Sequence, residues 1–550
     1  MGCRLLPETF ERIALFVPSP VDVRRLLAAL TAPLLTVPMT GLLGLFLAVE
    51  RGQLIAESPD RGSPPRLRLW PTLELPQGFS DAVLLPLVLQ ASPLYPFLDV
   101  DDFESQPVLP SAKLALSSLL APVQLETTPT ETLARVVSLT IKFGATRVGE
   151  SPWGEHAVER LCNVLPTLRK LESLTVTWGR SHLSHLFPAV LASITATSLT
   201  KLALRFFTDD VIWTSETVAA LQSWLATAPV RSLGLLRLHA ADDACMSALA
   251  QAIAASPTLD ALHITNGTSR TNLFTAGLVL PGSVTCLRAT GYTPDDIPHI
   301  LATLQRAPAL QRLSVGFRRD PTVVVPDAAA RMCSALQDLP RLRQVELPSF
   351  ALAAPCHVTI AALLPRLVRL DLSANELTDN GVTMLAEALP ACRRLETLQL
   401  CNQYCSDTGA LAVASGVMHC PTLQKLDLSQ NNITCAGATA LAAVLPQLNE
   451  VDLCYNNIGF HGAAAISAVL AQTEAMAWLD LQHNPLTLRG VVAIVDAVGC
   501  SQYRRGNVQL SLTLATADDI ATCRRRIDRL PDPAWCLLSD EPRDVSTFFD

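Results

Sequence analysis

The sequence predicts an α/β solenoid, a horseshoe with parallel strands on its concave face and helices on its convex face, preceded by a small helical module. Two ladders of residues and one fact of composition predict it. In the C-terminal third the pattern L-x-x-L-x-L-x-x-N begins at Leu367, Leu423, Leu448 and, with Met in first place, Met476, while Leu395 starts a copy with Gln403 where the others have Asn. The starts are 28, 28, 25 and 28 residues apart. Gly381, Gly409, Gly437, Gly462 and Gly490 each follow the Asn or Gln by six residues, so a second ladder runs in phase with the first. The 550 residues are 49% hydrophobic and 17% charged, enough apolar surface to offset the ordering entropy of a long array.

Each unit reads as strand, turn and helix in that order. Alternation in L-x-L has period two, which makes a short strand with its leucines inward and the intervening residues on the open face. Asn375, Asn431, Asn456 and Asn484 then turn the chain, their amides serving backbone groups left unpaired where the strand ends. The glycine is expected to open a helix: Gly381-VTMLAEAL, Gly437-ATALAAVL and Gly462-AAAISAVL carry apolar residues at helical spacing and stop near a proline or polar break. One unit alone cannot bury its leucines, whereas stacked units share a continuous core.

These residues resemble the leucine-rich repeat family, and the 28-residue period is similar to that of its ribonuclease-inhibitor-like subclass. The strict pattern covers 367 to 500. Weaker copies start at Val136, Leu171, Leu199, Val230, Leu259, Val284, Leu310 and Leu342, so the repeats are expected over 131–515, as 13 or 14 units, with a charged cap or tail over 516–550.

Residues 1–75 lack the repeat. Leu6, Pro7, Phe10, Ile13 and Phe16, then Ser19-Pro20-Val21-Asp22 and Leu26, read as a short amphipathic helix, a turn that Asp22 can cap, and a second helix. This order is similar to the F-box, which docks onto the adaptor of Skp–cullin–F-box ubiquitin ligases. The resemblance implies that Leu6, Pro7, Phe10, Ile13 and Phe16 contact that adaptor. Leu69-Trp70-Pro71 echoes the motif's ending, but its Val-Cys-x-x-Trp stretch is absent. The other reading of this segment is a cap over the first repeat's core. Residues 76–130, with eight prolines and the acidic Asp99, Asp101, Asp102 and Glu104, read as an irregular connector.

Several functions are excluded by what the sequence lacks. A net charge of −8 offers no general attraction to phosphate backbones, so no nucleic-acid partner is expected. Residues 26–49 are uncharged and long enough to cross a bilayer, yet Pro33, Pro38, Gly41 and Gly44 weaken a membrane helix, and a buried pair of short helices is expected instead. Met1-Gly2-Cys3 would suit lipidation, but Leu6 stands where Ser or Thr is required. With 15 cysteines and no cleavable signal before Leu6-Pro7-Glu8, reduced thiols in the cytoplasm or nucleus are expected. There is no phosphate-binding G-x-x-x-x-G-K-[ST], no H-E-x-x-H, no paired C-x-x-C and no G-x-S-x-G, so no catalytic residue, metal or cofactor is assigned. His182 and His185 have no ligand neighbours in sequence, and Cys392 with Cys420, and Cys401 with Cys454, fall at equivalent repeat positions as small packed side chains.

The open strand face carries the functional reading. Asp371, Gln399, Asp427, Asp452 and Asp480 form an acidic column, flanked by Arg369, Lys425, Glu450 and Trp478, while Lys201, Arg205, Arg288 and Arg312 make the face basic upstream. Such a track suits a protein of complementary charge, with Trp478 as an aromatic anchor, although aspartate is frequent there in this subclass. The expected function is a non-enzymatic interaction scaffold, with a ligase substrate receptor as its sharpest form. The alternatives are a Ran-GTPase-activating-protein-like regulator and a cytosolic repeat sensor.

Overall fold

The computed structural model describes residues 136–143, 154–179, 183–266, 271–317, 326–470, 473, 476–500, 507–512, 516–530 and 536–539, together with 39, 42–43, 73–75, 98–100 and 114–116. Two compact units divide the chain, Met1–Ser283 and Val284–Asp550. Leu6, Pro7, Phe10, Ile13 and Phe16 lie outside the described residues, as does most of 26–49, where Met39 and Leu42 are fully buried. None of the described helices is long and apolar enough to cross a membrane.

In the first unit the strands β1 (Leu73–Leu75), β2 (Leu98–Val100), β3 (Leu114–Leu116), β4 (Val136–Phe143), β5 (Ser173–Trp178), β6 (Lys201–Phe206), β7 (Ser232–Leu236) and β8 (Ala261–Thr265) pair in parallel, each with the next. Helices α1 (Glu155–Val164), α2 (Phe187–Thr195), α3 (Ser215–Thr227) and α4 (Asp243–Ala254) make the crossovers after β4 to β7. A parallel neighbour demands such a crossover, which is why strand and helix alternate. The C-terminal ends of β4, β5 and β6 carry Phe143, Trp178 and Phe206 in register. With Phe187 and Trp213 they form an aromatic core whose ring centroids lie 4.5 to 6.3 Å apart, every member buried.

In the second unit β9 (Cys286–Tyr292), β10 (Arg312–Phe317), β11 (Gln344–Glu346), β12 (Arg369–Asp371), β13 (Thr397–Gln399), β14 (Lys425–Asp427), β15 (Glu450–Asp452), β16 (Trp478–Asp480), β17 (Asn507–Ser511) and β18 (Cys536–Ser539) again pair in parallel in chain order. Between them run α5 (Ile297–Leu304), α6 (Pro326–Gln337), α7 (Ala354–Leu363), α8 (Thr378–Ala388), α9 (Asp407–Val417), α10 (Cys435–Ala442), α11 (Phe460–Leu470), α12 (Thr487–Cys500) and α13 (Ala517–Ile527). The fold is thus an α/β solenoid of stacked strand–turn–helix repeats. Leu370, Leu398, Leu426, Val451 and Leu479, the central residues of β12 to β16, are at most 2% exposed and form one layer of the core.

Three details differ from the sequence expectation. The helices begin before their glycines: α8 starts three residues ahead of Gly381 and α9 two ahead of Gly409. Those glycines are instead places of close approach. A Cβ at Gly409 would sit 2.5 Å from the Cys405 sulfur and 2.8 Å from an Asp379 oxygen, and one at Gly437 would sit 2.6 Å from an Asp407 oxygen. The stretch read as a connector contains β2 and β3, which continue the parallel ladder. Likewise β18 pairs with β17 beyond the last recognised repeat.

The asparagine positions hold successive repeats together. Asn431 donates from Nδ2 to the carbonyls of Leu400 in the preceding repeat (2.9 Å) and Leu428 in its own (3.0 Å), while its Oδ1 accepts the N–H groups of Gln403 (2.9 Å) and Cys405 (3.0 Å). Asn375, Asn456 and Asn484 bond in the same way to Leu347, Leu428 and Leu453 of the repeat before. Gln403, one methylene longer, reaches the Leu372 carbonyl at 2.7 Å. All five are buried, so each amide satisfies groups that water cannot reach.

Candidate functional site

The site is built on the strand face of β12 to β16. Each strand is three residues long with its middle residue in the core, so the first and third side chains face outward. Register places Arg369, Thr397, Lys425, Glu450 and Trp478 side by side in one row. Asp371, Gln399, Asp427, Asp452 and Asp480 make a second row.

The second row has a structural duty. Asp371 Oδ1 accepts the Ser373 N–H at 2.9 Å, Asp427 Oδ1 that of Ser429 at 2.9 Å, Asp452 Oδ1 that of Cys454 at 2.9 Å and Asp480 Oδ1 that of Gln482 at 2.8 Å. These are side-chain turns that close each strand, the physical reason aspartate recurs there. One oxygen of each carboxylate is occupied in this way.

The first row is tied by ion pairs. Lys425 Nζ lies 2.8 Å from Glu450 Oε1, and Arg369 Nε lies 3.3 Å from Glu346 Oε1. Arg369 also donates to Gln399 Oε1 at 2.6 Å, and Glu346 receives Arg288 at 3.3 Å. All are partly exposed, so each pair contributes little to stability and mainly fixes where the charges stand.

Between the rows is a pocket of about 300 Å³ lined by Arg369, Thr397, Gln399, Lys425, Leu426, Asp427, Glu450, Asp452 and Trp478. Seven of the nine residues expected on this face meet in it. Asp371 and Asp480 do not line it, Asp480 being buried beyond its edge. Glu346, which anchors both Arg288 and Arg369, was not foreseen, although its place in LRQVEL matches that of Asp371 in LVRLDL. Upstream, Arg288 and Arg312 are exposed on β9 and β10, while Lys201 and Arg205 are exposed on β6 of the first unit.

Burial sets the electrostatics. It pushes the Asp427 carboxyl up to about 6, helped by the Asp452 charge and opposed by the Ser429 hydrogen bonds. Burial raises Asp452 as well. The Cys401 thiol is pushed up to about 12, and Cys454 is raised further by burial and by Asp452, so both stay protonated. Donor atoms of Asp452, Cys454 and Asp480 approach within 4.8 Å of one another. Two carboxylates already engaged in turns and one soft sulfur make a mismatched donor set for a hard metal ion. Cys392 and Cys420 stack through a thiol-to-carbonyl contact of 3.9 Å, and His185 meets Glu155 at 3.3 Å, while His182 lies outside the described residues.

A family model described as leucine-rich repeat matches residues 365–386 and 419–442, covering β12, most of α8, β14 and α10. These two stretches are similar to leucine-rich repeats. Among solved structures, an internalin from Listeria monocytogenes str. 4b F2365 aligns with 68% of this chain and 91% of its own at 15% identity, with a TM-score of 0.33. No curated protein matches the chain.

Proposed function

We propose that this chain is a non-catalytic interaction scaffold that docks a protein partner on the strand face of β12 to β16. The observation that carries the reading is the pocket, lined by ordered charges of both signs and by Trp478 on short strands held in register. Rigid elements and pre-positioned charge favour specific docking, because little freedom is lost on binding. Its carboxylates are engaged in turns and ion pairs, which suits recognition better than proton transfer. A photo-crosslinker placed at Thr397, in the pocket, should capture the partner, whereas one at the exposed Leu411 on α9 should not. Equal capture from both would overturn the reading.

The finer form of the proposal makes the protein a substrate receptor of a Skp–cullin–F-box ligase in the cytoplasm or nucleus. It rests on Leu6, Pro7, Phe10, Ile13 and Phe16 alone. The full chain co-expressed with the Skp-type adaptor should form a stoichiometric complex on size-exclusion chromatography that Leu6→Asp and Ile13→Asp abolish. Without that complex the segment is a cap, and the scaffold has no link to the ligase.

A further inference from the structure

We propose that the strand-face pocket receives an arginine side chain of the protein partner, its guanidinium stacked on Trp478 and donating to Asp452 and Asp427. The proposal rests on the docking reading above and specifies the chemistry of what docks.

Charge accounting within the pocket carries the argument. Of its five charged residues, Lys425 is engaged by Glu450 and Arg369 by Glu346 and Gln399. Asp427 and Asp452 remain, and among the described residues neither has a cationic partner. They are neighbours in register on β14 and β15, and Asp480 brings another carboxylate oxygen within 4.8 Å of that of Asp452. Asp427 and Asp452 each accept their own turn N–H on Oδ1, which leaves a second carboxylate oxygen as an acceptor for a ligand. Like charges crowded into a half-buried site repel one another and are poorly screened, so a cation entering from outside relieves the site.

Three features select arginine among cations. Trp478 adjoins Glu450 in register and forms a wall of the same pocket, and a planar guanidinium stacks on an indole while its fork donates to carboxylates. At about 300 Å³ the pocket has room for a long side chain rather than a bare ion. A hard divalent ion requires several oxygen ligands, but here one of the three converging donors is a soft sulfur. An acidic partner would have to displace Glu450 from Lys425 and Glu346 from Arg369, so complementarity runs the other way.

The test is fluorescence anisotropy of the full chain with a labelled Gly-Arg-Gly-Arg-Gly peptide, its citrulline twin and its glutamate twin. The arginine peptide should bind at pH 7.5 at least about tenfold more tightly than the citrulline twin, which keeps the shape and loses the charge. Asp452→Asn and Trp478→Leu should each weaken binding by about tenfold, and Asn can still accept the Cys454 N–H, so the turn and the thermal midpoint should survive. If Asp452→Asn unfolds, Trp478→Leu alone decides. Equal binding of the citrulline twin, no binding of the arginine peptide, or indifference to the folded variants overturns the proposal. Preference for the glutamate twin also overturns it. In any of these cases continued crosslinking from Thr397 would leave strand-face docking intact, whereas loss of that crosslinking would remove the docking reading itself.

Discussion

Asp427 is the residue at which fold and recognition conflict. Burial and the neighbouring Asp452 hold its carboxyl near 6, above the 3.8 of a free aspartate. From that pH down to about 4 the folded chain takes up a proton that the unfolded chain does not, so the contribution of this group to stability rises as pH falls through 6 and is absent at neutral pH. Replacing Asp427 by Asn, which retains an acceptor for the Ser429 N–H, should stabilise the protein at pH 7.5 by on the order of 2 kcal/mol and flatten its stability between pH 7 and 4. Urea titrations at several pH values would measure both effects, and an unchanged pH profile would contradict the assignment. Asn431 behaves in the opposite way, because its amide serves buried groups of two repeats. Asn431→Ala leaves those groups unpaired and should cost about 3 kcal/mol or more, read as a lower thermal midpoint.

At the scale of elements, the helices are packed as closely as their glycines allow. A Cβ on Gly416 of α9 would meet the backbone carbonyl of Ala386 on α8, a group that cannot swing aside. Gly416→Ala should therefore destabilise by about 1–3 kcal/mol despite alanine's better helix propensity, and equilibrium unfolding would show the sign. Successive helices are also joined at their starts. Asp407 accepts from the Thr434 N–H at 2.7 Å and the Gly437 N–H at 2.8 Å, as Asp379 does from Ser406 and Gly409 of the next repeat, so one repeat caps the helix of another. The sequence revealed the strands and asparagine turns of 367 to 500, because leucine spacing and a buried amide are demands that few other residues meet. It concealed this capping, since Asp379 and Asp407 act 27 and 30 residues away, where no local pattern can register them. It equally concealed β1, β2 and β3, which start at irregular intervals and have no asparagine after them, so no period is set up.

At the scale of the molecule, a repeat array distributes its stability among neighbours, so damage should stay near its origin. Trp178 sits in the aromatic core of the first unit against Phe143, Phe187 and Phe206. Trp178→Ala should cost about 3–5 kcal/mol and speed hydrogen exchange across β4 to β8, while the strands from β12 to β16 keep their protection. Exchange that rises equally throughout would mean the chain opens as one cooperative body. The candidate site was legible at this scale for a related reason: the outward residues of stacked strands lie in rows, so reading one position per repeat lays out a surface. What could not be read was the pairing within it, such as Arg369 with Glu346, because side-chain ion pairs depend on reach and rotamer rather than on position in the repeat.

The turns that close β12, β14, β15 and β16 ask their aspartates for an acceptor oxygen and never for a negative charge. Asparagine supplies that oxygen equally well. The column is therefore a keyboard whose keys can be struck or silenced one by one, each exchange rewriting the potential that a visitor meets while the scaffold beneath stays as it was. A lineage, or a designer, could retune what this face recognises through single-atom swaps, leaving the leucines and the amide spine untouched.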